Sequence, residues 1–297
     1  MAALPASMPP GADDRAARRR RLLRRVLVWS VPIAVAYVGV FVYLWVIQER
    51  LIFKVRPLSP LEAREIAAAF PAARSVGIAA ADGTALHAWY LAANPPSAPR
   101  RLLLYFGGNS EQVHWLLARQ PALAGWDLLL VDYRGYGLSG GVPSQAALEG
   151  DADQWLRLAR SGNESVARPQ RLVVMGTSMG SYVATHLAAS HPVDGVVLVV
   201  PYDSGVSIVQ SMMPLYPIAW IVRHRFETIA DAPKVRAPTI FFVAARDAFG
   251  SAERSHRLYD HWGSASRTWV DLPNANHYTA TADPLYWQRL GEFLRGL

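Results

Sequence analysis

The chain has 297 residues, is 52% hydrophobic and 18% charged, and contains no cysteine. That length and apolar share suit one large folded domain and exclude a disordered chain. The missing thiol excludes disulfides, thiolate metal sites, cysteine nucleophiles and an acyl-cysteine lipid anchor. Residues 1–25 hold seven arginines and two aspartates, which account for +5 of the net charge of +7. The basic excess is a local cluster, so a nucleic-acid partner is not expected.

Residues 1–14 are small, proline-containing and unpatterned, and 1–25 together are expected to form a disordered basic tail. Arg15, Arg18, Arg19, Arg20, Arg21, Arg24 and Arg25 lead into residues 26–47, 22 positions without a charge. At ~1.5 Å per residue that run reaches roughly 33 Å, enough to cross a bilayer core. Trp29, Tyr43 and Trp45 lie near its ends, where amphipathic rings favour the interface. The arginines predict a cytoplasmic N-terminus and place residues from 48 onward on the extracytoplasmic side. A cleaved signal peptide is the alternative, and the paired arginines also suggest a twin-arginine export signal. The apolar run is longer than an h-region and no clear A-x-A site follows it, so 26–47 is expected to be an uncleaved transmembrane signal anchor.

Residues 48–297 fit one α/β domain. Runs at 74–80 and 85–91 flank Asp82-Gly83, a hairpin signal. Residues 101–106 and 126–133 read as buried strands, with a short helix from Gln112 to Arg119 between them. Ser144 to Ser161 reads as a helix with Leu148, Ala152, Trp155, Leu156 and Ala159 on one face, ended by Gly162. Strand 171–176 precedes a helix from Met179 to Ser190; strands follow at 195–200, 238–245 and 268–273; Asp283-Pro284 starts a closing helix through Leu294. This alternation predicts a mostly parallel sheet with helices on both faces, whose ligands bind beyond the carboxyl ends of the strands.

Gly176-Thr177-Ser178-Met179-Gly180 follows one such strand and opens a helix. A tight strand–turn–helix bend needs small residues two before and two after the serine, and it exposes the hydroxyl. Ser178 is the candidate nucleophile and the Met179 N–H a candidate oxyanion donor. A serine needs a base. Of eight histidines, His277 lies in a loop directly after the last strand, where the base of such a site belongs. Asp247 follows the strand 238–245 and is the candidate acid that orients the imidazole. In Tyr105-Phe106-Gly107-Gly108-Asn109-Ser110, Gly108 permits close approach to substrate and Asn109 N–H is the candidate second donor.

Together these residues resemble the α/β-hydrolase superfamily. More narrowly they resemble its single-pass membrane-anchored members, the α/β-hydrolase-domain proteins that include depalmitoylases and lysophospholipid lipases. Gln48 to Phe53 resembles that family's entry into the catalytic domain, and Asp132-Tyr133-Arg134-Gly135-Tyr136-Gly137-Leu138-Ser139-Gly140-Gly141 its signature loop. The loop is expected to give support rather than chemistry, with Arg134 and Tyr136 holding loops together. Two departures stand out. Ala244-Ala245-Arg246-Asp247-Ala248-Phe249 lacks the glycine before the acid and the Val-Pro after it that many members carry, and Gly107 stands where many have histidine.

The resemblance implies an eight-stranded, mostly parallel sheet with a small cap at 203–235, behind one transmembrane helix. It implies a serine hydrolase that cleaves carboxylic esters or thioesters through an acyl-enzyme, with no metal or organic cofactor. Met212, Met213 and Trp220 in the apolar cap segment are expected to line a lipophilic acyl pocket for a small-molecule or lipid acyl substrate, beside the bilayer. A serine peptidase of the same fold and a non-catalytic membrane scaffold are the alternatives. Oligomeric state is left open.

Overall fold

The computed structural model describes residues 12–297. It divides into two units, one ending at Gln48 and one running from Glu49 to Leu297.

The first unit is one helix. Helix α1 spans Ala12–Ile52, its last residues belonging to the second unit, and Pro32 lies inside it. From Ala17 to Ile52 it is long and apolar enough to cross a membrane. Trp29, Ile33 and Val35 along it are exposed. The expected disordered tail over 1–25 needs correction. Residues 12–25 are helical, because arginine, leucine and alanine are strong helix formers and extend the apolar run backwards. Residues 1–11 of that expectation lie outside the described residues.

The second unit is built on an eight-stranded sheet. Its strands are β1 (Ala73–Ala79), β2 (Ala85–Leu91), β3 (Arg101–Phe106), β4 (Asp127–Asp132), β5 (Arg171–Thr177), β6 (Gly195–Val199), β7 (Thr239–Ala244) and β8 (Arg267–Leu272). They lie in the order β1-β2-β4-β3-β5-β6-β7-β8. The β1–β2 and β2–β4 pairs are antiparallel and all others parallel. Leu102, Leu103 and Leu104 are 0% exposed, each burial worth roughly 1.5–3 kcal/mol. A strand covered on one face would expose every second residue. Here Leu102, Leu104 and Phe106 join one core while Leu103 and Tyr105 join the other.

Helices α3 (Gln145–Ser161), α4 (Met179–Ser190) and α8 (Ala252–Asp260) bring Trp155, Leu187 and Leu258 to the first core. Helix α9 (Pro284–Arg295) and a 3₁₀ segment, Val113–Leu123, bring Leu290 and Leu116 to the second. The 3₁₀ segment replaces the short helix expected from Gln112 to Arg119, and Pro121 lies inside it. Helix α2 (Pro60–Ala69) was not anticipated, although Ser59 and Glu62 form a reciprocal capping box at its start. Between β6 and β7 the chain forms α5 (Gly205–Met212), α6 (Ile218–Ile221) and α7 (Thr228–Asp231), within the expected cap at 203–235.

Candidate active site

Ser178 sits between β5 and α4 with φ 51 and ψ −114, a strained conformation for a residue with a side chain. Two glycines make the bend possible. A Cβ on Gly176 would lie 1.9 Å from the Gly180 carbonyl oxygen, and one on Gly180 would lie 2.0 Å from the Phe106 carbonyl oxygen. Backbone atoms cannot step aside, so both positions exclude side chains. The Ser178 N–H donates to the Val199 carbonyl at 2.9 Å, which ties the bend to β6.

Asp247 and His277 reach this bend from loops after β7 and β8. His277 Nε2 lies 2.9 Å from Ser178 Oγ, and His277 Nδ1 lies 2.7 Å from Asp247 Oδ2. The other carboxylate oxygen, Oδ1, accepts the N–H groups of Phe249 at 2.7 Å and Gly250 at 2.9 Å. The Asp247 side chain is 0% exposed, so these donors replace its water. An ionised carboxylate only accepts, which puts the imidazole proton on Nδ1 and leaves Nε2 to accept from the serine hydroxyl. Phe249 and Tyr278 meet the imidazole edge-on, at 5.3 and 5.4 Å between ring centroids, and restrict its rotation. The three expected residues are therefore brought into one hydrogen-bonded chain, in the arrangement that lets a base take a hydroxyl proton.

Met179 opens α4, so its N–H is among the first-turn donors that a helix leaves without an intrahelical partner. The loop carrying Gly108 and Asn109 lies against the bend; a Cβ on Gly108 would be 3.6 Å from Ser178 Cβ. Asn109 is held through its side chain. Oδ1 accepts from Lys54 N–H at 2.9 Å and from the Tyr136 hydroxyl at 2.7 Å, while Nδ2 donates to the Ile52 carbonyl at 2.5 Å. The signature loop gives support as expected. Tyr136 holds Asn109, and Arg134 grips Asp151 on α3 at 2.6 and 2.8 Å and Asp82 in the β1–β2 turn at 2.5 Å. Both acids hold the Arg134 guanidinium firmly in its charged form, the Asp151 bond most of all.

Sequence reasoning missed Glu111. Its Oε2 accepts the Gly108 N–H at 2.6 Å; its Oε1 accepts the Tyr105 hydroxyl and the Trp115 indole N–H, both at 2.5 Å. The Tyr105 hydroxyl also lies 3.0 Å from Thr177 Oγ1, next to the nucleophile. One carboxylate thus couples the Gly108 loop to the serine bend. Burial, then the Glu111 charge, pushes the Tyr105 phenol well above its usual range, so it stays a donor. An acid three residues beyond a Gly-Gly turn was the available signal.

The expected acyl-pocket residues need correction. Met212 is 66% and Trp220 85% exposed, and Met213 is half-buried. Short α5 and α6, with Pro214 and Pro217 between them, turn Met212 and Trp220 to solvent.

A family model for serine aminopeptidases, S33, matches residues 97–229. The uncharacterized protein Rv2307c of Mycobacterium tuberculosis is 30% identical over 261 residues, spanning 86% of this chain and 90% of that one. The α/β-hydrolase domain-containing protein WAV2 of Arabidopsis thaliana is 23% identical over 295 residues, 91% of each chain. Among solved structures, the esterase Pf2001 of Pyrococcus furiosus superposes with a TM-score of 0.61 at 17% identity, covering 82% of this chain and 95% of that one. The chain belongs to the α/β-hydrolase superfamily. Its sheet is that fold, and by family it is a hydrolase.

Proposed function

We propose that the chain is a membrane-anchored serine hydrolase that cleaves carboxylic esters or thioesters of lipid-like acyl groups. Support comes chiefly from the continuous hydrogen-bonded chain Ser178–His277–Asp247 at a strained strand–helix bend. His277 takes the Ser178 proton as Oγ attacks the acyl carbonyl, and Asp247 stabilises the imidazolium. The N–H groups of Met179 and Asn109 bind the oxyanion. His277 then protonates the leaving alcohol or thiol, and in the second step it activates the water that releases the acid. Helix α1 supplies the anchor, with the arginines on the cytoplasmic side and the catalytic unit across the bilayer.

In the full chain, Ser178→Ala abolishes turnover of short p-nitrophenyl esters and labelling by a fluorophosphonate, while the melting temperature stays within a few degrees of wild type. Full activity in that variant would refute the assignment, and silence of the wild type towards the probe would favour a scaffold. The family model's description supports a peptidase as a second reading. Faster Ser178-dependent cleavage of an amino-acid p-nitroanilide than of the matching ester would select it.

A further inference from the structure

The cap between β6 and β7 carries the two most exposed large apolar side chains among the described residues. Leu215 is 82% and Trp220 85% exposed, with Met212 at 66%. All three belong to one tip formed by the end of α5, the turn through Pro214 and Pro217, and α6. Gln210 holds that turn: its Nε2 donates to the Tyr216 carbonyl at 3.0 Å and its Oε1 accepts from Ile218 N–H at 3.2 Å. A tip kept in shape while presenting tryptophan, leucine and methionine outward is built to meet an apolar partner.

The composition of the tip says which partner. Residues 204–226 contain no aspartate or glutamate, and the aromatic groups of the tip are Tyr216 and Trp220. Rings with one polar edge are the residues of a membrane interface. The segment just after the tip packs where the chain enters the unit. Arg223 Nη1 lies 3.2 Å from Glu49 Oε1, and Phe53 meets His224 and Phe226 edge-on at 5.1 and 6.0 Å. Glu49 is two residues beyond the charge-free run that ends at Ile47. The chain therefore joins that run to the unit at the residue Arg223 contacts.

We propose that Met212, Leu215 and Trp220 form a bilayer-docking surface that seats the catalytic unit on the leaflet of its own anchor. The proposal rests on the anchored-hydrolase reading and narrows it to acyl substrates taken from within the membrane. Arg223 and Arg225 are already paired, with Glu49 and with Glu227, so the docking is apolar and needs no anionic lipid. The base of the cap also reaches the site. Arg254 donates to the Ser207 carbonyl on α5 at 3.3 Å and to the Phe249 carbonyl at 3.1 Å, and the Phe249 ring packs on His277.

The absence of native cysteine permits a direct test. Full-length Met212→Cys and Trp220→Cys chains, labelled with an environment-sensitive nitrobenzoxadiazole and reconstituted into phosphatidylcholine vesicles, should show blue-shifted emission quenched by doxyl groups on shallow acyl carbons. A Glu164→Cys control, beyond the C-terminus of α3, should show neither, and added salt should change nothing. In Trp220→Glu, the ratio of vesicle-dissolved to water-dissolved ester turnover should fall roughly tenfold, the partition share of one apolar side chain. Water-like emission at 212 and 220, in a chain whose Ser178 still reacts with fluorophosphonate, overturns docking and leaves the hydrolase reading standing. A blue shift without doxyl quenching means a protein partner, such as a second copy, and overturns it too. Doxyl-quenched probes on a chain with an inert Ser178 would uphold docking and sink the hydrolase reading.

Discussion

Two serine–histidine–aspartate sets occur among the described residues, and they differ in what their backbones offer. Besides Ser178–His277–Asp247, His87 Nδ1 lies 2.8 Å from Asp132 Oδ2 and His87 Nε2 lies 2.8 Å from Ser75 Oγ. The distances nearly match those of the first set. The backbone does not. Ser75 is in the middle of the edge strand β1, opposite Trp89. Ser178 stands at a strained bend at the start of α4. A hydroxyl becomes useful where backbone donors can also receive the oxyanion, and a flat edge strand supplies none in position. His87 acts as a brace instead, since Asp132 also accepts Leu138 N–H at 3.1 Å and Ser139 Oγ accepts His87 N–H at 2.8 Å. Ser75→Ala should therefore label with fluorophosphonate at the wild-type rate; loss of most labelling, with the fold intact by circular dichroism, would make the second set functional.

Elements are held to one another by a few charged contacts whose pH dependence can be read. Helix α4 meets α7 through His186 Nδ1 and Asp231 Oδ2, 3.4 Å apart. The Asp231 bond raises the His186 pKa above its ordinary 6.5, against the opposing effect of burial. The same bond is the main cause holding the Asp231 carboxyl below its ordinary 3.8. For a raised histidine, the stabilisation is complete below 6.5 and disappears as pH climbs through the raised value. For the lowered aspartate it is present above 3.8 and lost as pH falls through the depressed value. The melting-temperature gap between wild type and His186→Ala should thus be wider at pH about 5.5 than at pH about 8.5. An equal gap at both values would show that the contact is packing alone.

At the scale of the whole molecule, α1 and the unit built on the sheet follow different physical rules. Apart from the cap tip, the unit hides most of its large apolar residues in two cores either side of one sheet. Helix α1 leaves Ile33 and Val35 about two-thirds exposed, which in water would invite aggregation and in lipid satisfies them. After an alkaline carbonate wash, the full-length chain should remain in the membrane pellet. A shortened, soluble chain released by osmotic shock would instead identify a cleaved leader.

Much of this was readable in one dimension because the signals are local. The strand runs are short, apolar and bounded by turns, so the eight strands fall close to where periodicity predicts them. Ser144 and Asp283 cap α3 and α9 because a side-chain oxygen reaches an N–H two or three residues on. The spacing of Gly176 and Gly180 around Ser178 marks the bend, since its cause, lack of room for a Cβ, is a property of those residues. What local pattern could not decide was contact between distant stretches. The strand order, Glu111 bridging the Gly108 loop to the serine bend, and a histidine braced by Ser75 and Asp132 depend on pairings far apart in the chain. The cap makes the same point in reverse. An apolar segment predicts burial, but which way Met212 and Trp220 turn depends on how short helices broken by prolines seat on the sheet, and only the folded chain decides that.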